Sequence, residues 1–368
     1  MDNLKKAEEL VETLQVNLEK IEKKDFKLYF FIIDTNGAPV GAVANIYEHV
    51  KMLNELGYKA NVLHEKNEYT TKQLEFIKGW LGEEYSSLPH ASIEDKEVKI
   101  DMVDYIIIPE LFANVMEQTV NLPGKRIIFC QSYDYITETL QAGKTWADYG
   151  ITDCITTTEK QKDYIDGLFG GRIKTKVIPV SIDERFKKTD KPKKPIISIL
   201  TRDQRDTVKI FKNFYLKYPH LKWVTFRDMR GMTKEVFSNA LQESCLSVWV
   251  DDIAGFGTFP IESMACDTPV IGKVPNLPNG WITEKNGMWV DNTIIIPDIV
   301  SQYVQSWLED AVPTEMISEM GDTVEKYTTK KMKKEVRKVY TKFFDERKKE
   351  ITDTLAKYKV DNLEEEKK

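Results

Sequence analysis

The segment AGFGTFPIESMACDTPVIG, residues 254–272, joins a glycine-containing loop to a short apolar helix and then to a buried strand. Gly255 and Gly257 let the backbone come close to a ligand with no Cβ in the way. Pro260 suits the first turn of a helix, where its missing N–H costs nothing. Such a helix start directs free N–H groups and a partial positive charge into the loop, which suits a pyrophosphate. Glu262, expected in the same first turn, has two readings. A carboxylate near a helix N-terminus is favourable by about 0.3–1 kcal/mol. Its two oxygens can equally accept hydrogen bonds from a ribose diol.

On either side the chain alternates apolar runs with helical stretches. IISIL (196–200), KWVTF (222–226), LSVWV (246–250), TPVIG (268–272) and MWV (288–290) read as one set of strands. An earlier set opens with LYFFIID (28–34), apolar almost throughout as in a strand buried on both faces. A helix is predicted over 43–56 with Gly57 closing it. Strands follow at 58–63, 105–109, 126–130, 153–157 and 176–180. Strands separated by helices imply parallel pairing in doubly wound sheets. Two such halves leave a cleft between the carboxyl ends of their sheets, where ligands bind.

The Lys- and Pro-rich residues 187–195 read as a linker. The expected division is a helix over 1–24, a first domain over 25–186, this linker, a second domain over 196–327, and a helical extension over 328–368. Within 1–24, Leu4, Ala7, Val11, Leu14, Leu18 and Ile21 form a narrow apolar seam. It docks on its own domain or pairs two copies in a homodimer. The extension packs along the outside or crosses back to the first domain.

With 368 residues, 41% of them hydrophobic and 30% charged, the chain has the balance of a globular protein with two cores. No run approaches the roughly 18–20 apolar residues of a membrane span, and the charged start MDNLKKAEELVETL is unlike a signal peptide, so a cytoplasmic location is expected. Cys130, Cys154, Cys245 and Cys266 form no C-x-x-C pair and read as buried thiols. The histidines, His49, His64, His90 and His220, lack metal-ligand spacing. A net charge of −6 does not favour nucleic acid, although residues 330–349 are rich in Lys and Arg. That run reads as a solvated helix face or a patch for a polyanion.

The segment GFGTFPIESMACDTPVIG resembles the nucleotide-sugar-binding signature of GT-B glycosyltransferases, specifically the retaining glycosyltransferase family 4 (group 1) pattern E-G-F-G-x-x-x-x-E-A-M-A-x-G-x-P-V-I. Residues 41–63, 125–136 and 151–186 resemble that family's early loop, helix and strands, so the likeness covers about residues 27–330. It implies a GT-B architecture, two Rossmann-like domains facing across a cleft. It also implies a metal-independent, retaining transferase that moves a hexosyl or pentosyl group from a UDP- or GDP-linked sugar. No cofactor or metal is expected.

Carried over by position, Gly41 belongs to the loop under the donor phosphates and Arg202 to the phosphate-binding arginine, with Arg205 or Lys209 as its second cation. Such a pair offsets charge growing on a diphosphate leaving group. Phe226 to Met229 fall where the family meets the nucleobase. Gly257, Thr258 and Phe259 present backbone to the donor, and Glu262 binds ribose. The family's first motif glutamate is Ala254 here, and Asp251 or Asp252 lies close enough upstream to replace it. Asp134 is either an acceptor-side catalytic contact or a turn-stabilising residue.

The acceptor expected from the family is a glycan or lipid-linked saccharide, with a hydroxymethylated base in phage-type DNA as the alternative. A catalytically silent binding homologue and a nucleotide-sugar epimerase complete the set.

Overall fold

The computed structural model describes residues 20–365. The helix and dimerisation arm expected over 1–24 fall almost wholly outside them. Two all-parallel sheets form the frame. The first orders its strands β3-β2-β1-β4-β5-β6-β7, where β1 is Lys27–Phe31, β2 Lys59–His64, β3 His90–Ser92, β4 Tyr105–Pro109, β5 Lys125–Cys130, β6 Asp153–Thr156 and β7 Lys174–Val177. The second runs β12-β11-β10-β8-β9, with β8 Lys194–Thr201, β9 Thr225–Asp228, β10 Ser244–Val250, β11 Val270–Lys273 and β12 Met288–Val290. This is the α/β pair of doubly wound sheets that the apolar runs imply.

Each sheet reverses its winding once, between β1 and β4 in the first and between β8 and β10 in the second. At such a point the flanking loops leave in opposite directions and open a crevice at the strands' carboxyl ends. Central strands are apolar on both faces, as in β4 and β10, whose every residue is buried. The short strand β3 has no apolar run to announce it. It is held at the edge by parallel pairing with β2.

Ile178 packs in the first domain's core, whereas Val180, Ile182 and Phe186 already pack in the second. The chain returns through Tyr327, whose carbonyl accepts the Ile182 N–H at 2.8 Å, so the two crossings are stitched together. Helix Thr329–Glu365 then lies back on the first domain and buries Met332, Val336, Val339, Tyr340 and Phe343 in its core. Its lysines are interleaved with acids: Lys333 pairs with Glu55, Lys338 with Glu335 and Lys342 with Glu346. The basic run is thus one face of a docked helix with its own counter-charges. All four cysteines are free and buried.

Candidate functional site

The two switch points face one another. Between them lies a cavity of about 340 Å³ whose lining includes Gly41, Glu110, Gln131, Arg202, Asp251 and Thr258. A second cavity of about 210 Å³ adjoins it, walled by Glu48, Met229, Arg230, Lys234, Phe237 and Glu262. Gly41, Asn45, Thr258 and Phe259 line both, so the two form one bent cleft.

Two helices begin at this junction with no side-chain cap. Helix Gly41–Glu55 starts after Val40, which carries no capping group, and a Cβ on Gly41 would meet nothing within 4 Å. Helix Thr258–Ala265 starts after Gly257, whose φ of 75° is left-handed. Uncapped N-termini leave N–H groups unsatisfied and carry partial positive charge, the physical basis of anion binding at helix starts. Pro260 is the third residue of its helix and Glu262 the fifth. Glu262 therefore sits beyond the first turn, which weakens its purely structural reading.

The loop before this helix is held from behind. The Asn279 Nδ2 donates to the carbonyls of Ala254 (3.2 Å) and Gly255 (2.6 Å), and Trp281 Nε1 donates to that of Phe256 (2.7 Å). A Cβ on Gly257 would lie 2.9 Å from Trp249. Gly255 has a different reason from the one expected. A Cβ there would stand 1.6 Å from the Gln131 carbonyl oxygen, so contact between the domains already requires this glycine. Ser132 Oγ adds a bond to the Ile253 carbonyl at 3.1 Å.

Arg202, at the end of β8, donates from Nε and Nη2 to Asp251 at 2.6 and 3.1 Å and from Nη1 to Tyr135 at 3.2 Å. Asp252 instead pairs with Lys273 at 2.7 Å and does not line the cleft. Glu262 is partly buried, and desolvation pushes its carboxyl up to about 7, against the pull of Lys234. Glu110 follows β4 at the first switch point and is 2% exposed. Burial raises it also to about 7, opposed by backbone N–H groups, among them that of Ser132 at 2.8 Å.

Of the residues expected at the site, Gly41, Arg202, Met229, Gly257, Thr258, Phe259 and Glu262 converge on the cleft. Five do not. Arg205 is exposed and folded onto Asp203, since its position at the start of helix Gln204–Lys217 points it outward. Lys209 on that helix lies near Asp206, likewise away from the cleft. Phe226 turns into the second domain's core against Phe214 and Tyr215. Asp134 is the exposed N-cap of the short helix Tyr135–Thr139, and Tyr135 faces the cavity in its place. Asp252 is the fifth, held off by Lys273.

Glu110, Asn45, Arg230 and Lys234 line the cleft without having been singled out. Glu110 had a usable signal, an acid directly after the buried strand YIIIP. Arg230 and Gly231 follow the expected base loop just as directly. Asn45 and Lys234 sit inside helices and carry no local mark. Among the described residues no three His, Cys, Asp or Glu side chains gather in a metal-binding cluster.

No protein-family model matches the chain. A curated relative, an alpha-1,6-glucosyltransferase of Actinobacillus pleuropneumoniae serotype 7 (strain AP76), is 22% identical over 334 residues, covering 87% of this chain and 96% of that protein. Among solved structures, HepE from Anabaena in complex with UDP and glucose superposes with a TM-score of 0.62 at 12% identity, over 86% of this chain and 100% of that one. The pneumococcal O-GlcNAc transferase GtfA, in complex with UDP and GlcNAc, gives 0.52 at 14% identity. That match covers 67% of this chain and 57% of GtfA, so the likeness spans little more than half of that protein. The arrangement of two facing parallel-sheet domains is the GT-B fold.

Proposed function

We propose that the chain transfers a hexosyl group from a nucleoside-diphosphate sugar, uridine diphosphate foremost, to an acceptor hydroxyl. The observation that carries this is the meeting of two uncapped helix N-termini with Arg202 at the junction of a bent cleft. A diphosphate at the junction meets N–H groups from both domains, with Arg202 available once it exchanges Asp251 for phosphate. The smaller cavity takes the nucleoside. Glu262, whose carboxylate accepts no hydrogen bond from the described residues, meets the ribose diol there, and the Met229–Met232 stretch meets the base. The larger cavity holds the sugar and opens to the acceptor. The relative's glucosyltransferase name and the UDP complexes of the neighbours support UDP-glucose as the first donor to test.

In this reading the N–H groups and Arg202 stabilise negative charge on the departing diphosphate. Among the described residues no side-chain nucleophile paired with a base lines the cleft, in keeping with the retaining reaction that the resemblance implies, in which a leaving-group oxygen takes the acceptor proton; metal independence belongs to the same reading. Family 4 membership, a glycan or lipid-linked acceptor, and a cytoplasmic location belong to the same proposal. Titration calorimetry with UDP, GDP, ADP and TDP, followed by measurement of UDP released from UDP-glucose with and without saccharide acceptors, tests it. Binding of none of the four diphosphates would sink the proposal. Binding without release of UDP under any condition would favour the silent homologue, a reading that the Arg202–Asp251 pair and Ala254 make worth testing.

A further inference from the structure

We propose that Asn45 is a specificity-determining residue that reads a hydroxyl of the transferred sugar. The inference rests on the donor reading above. Asn45 lies one turn into helix Gly41–Glu55, is 4% exposed and lines both cavities. Its Nδ2 donates to Gln131 Oε1 at 2.9 Å, and Gln131 Nε2 donates in turn to the Ala42 carbonyl at 3.0 Å. A carbonyl only accepts, so Gln131 must turn its nitrogen toward Ala42 and its oxygen toward Asn45. Asn45 must then give its nitrogen to Gln131 and present Oδ1 elsewhere. The direction of this amide relay is set by the network and not by choice.

Asn45 Oδ1 is buried and has no hydrogen-bond partner among the described residues. A buried acceptor left unmet is costly, and such groups in folded proteins have partners as a rule. Gln131 offers no relief, since its Oε1 is an acceptor and its Nε2 is held by the Ala42 carbonyl. Its backbone is fixed as well: the main-chain carbonyl accepts Gln161 Nε2 at 3.1 Å and packs directly on Gly255. The missing partner must therefore come from what fills the cleft, and it must be a hydrogen-bond donor. Phosphate oxygens, being acceptors, are excluded. In a UDP-sugar the remaining donors belong to base, ribose and sugar. Base and ribose are assigned to the smaller cavity with Met229 and Glu262; Asn45 stands where the two cavities meet, beside the diphosphate, so the donor we assign to it is a sugar hydroxyl, and a ribose hydroxyl is the alternative that the test separates.

The test measures dissociation constants of UDP, UDP-glucose and the monodeoxy analogues of UDP-glucose, using the full chain and calorimetry. One analogue is expected to bind wild type roughly tenfold more weakly than UDP-glucose. Asn45→Leu is expected to bind that analogue and UDP-glucose equally, with UDP affinity unchanged. Asn45→Ser serves in place of the leucine variant if the latter does not fold. The proposal is overturned if every analogue binds wild type as UDP-glucose does, or if Asn45→Leu, or Asn45→Ser in its place, discriminates as wild type does. An equal loss of UDP and UDP-glucose affinity in Asn45→Leu would assign the residue to ribose or phosphate and overturn it as well. Failure of UDP itself to bind wild type would show a different fault, in the donor reading, and would remove this proposal with it.

Discussion

Glu262 sits in the cleft with a carboxyl pushed up to about 7 from an ordinary 4.5 by desolvation. A carboxyl raised in the folded state binds more protons there than in the unfolded chain between those values. Stability is therefore lost as pH rises toward 7. Glu262→Gln removes that loss, so thermal melts should show the variant gaining on wild type at pH 8 but not at pH 4.5. Binding runs the other way, because a ribose diol donates to the ionised form. UDP-glucose, whose phosphates do not titrate near neutrality, should bind wild type more tightly at pH 8 than at pH 6, and the variant should show no such trend. Gly255 offers a second single-residue check. The interdomain approach leaves no room for a methyl group, so Gly255→Ala should cost about 1–3 kcal/mol in urea denaturation. It should also widen the cleft, seen as a larger radius of gyration in solution scattering.

The glycine-rich loop and the helix it launches function as a unit braced from the rear. Asn279 is 3% exposed and holds two consecutive loop carbonyls. Asn279→Ala should destabilise the chain by about 1–3 kcal/mol, read from urea midpoints, because it leaves buried carbonyls unmet. The donor KM should rise with it. Arg202→Gln tests the opposite side of the same element pair. It should lower kcat by about 10²–10³ while leaving the melting temperature within a few degrees, if leaving-group stabilisation is its task.

At this scale the sequence was readable where pattern is strong and silent where packing decides. Tyr105–Pro109 and Met288–Val290 emerge with the bounds their apolar runs imply. His90–Ser92 does not, since three mixed residues become a strand only through β2. Within the cleft, Gly257, Thr258 and Glu262 lie where the loop-to-helix segment pointed, and Arg202 lies where the family resemblance put it. Arg205 and Phe226 lie off the cleft because the direction of a side chain around a helix or strand end depends on tertiary contacts. Asn45 was invisible for a related reason. Its significance lies in a hydrogen bond to a residue 86 positions away.

Over the whole molecule, the first domain's core is completed by the far end of the chain. Val336 is fully buried among first-domain residues. Val336→Asp places an unpaired charge there, a change of the class that costs more than about 4 kcal/mol. Calorimetry should show the first domain's transition falling in temperature while the second's holds.

The same docking of helix Thr329–Glu365 has a consequence for synthesis. A ribosome delivers the chain from its N-terminus, and domains generally fold in that order as they emerge. Here the earliest-made domain lacks part of its interior until Phe343 has cleared the exit tunnel, by which time every strand of the second sheet is already outside. The first domain is begun first and finished last. Arrested nascent chains truncated between residues 330 and 368, each followed by a flexible linker long enough to span the tunnel, should under brief proteolysis acquire protection of the second domain at shorter lengths than protection of the first.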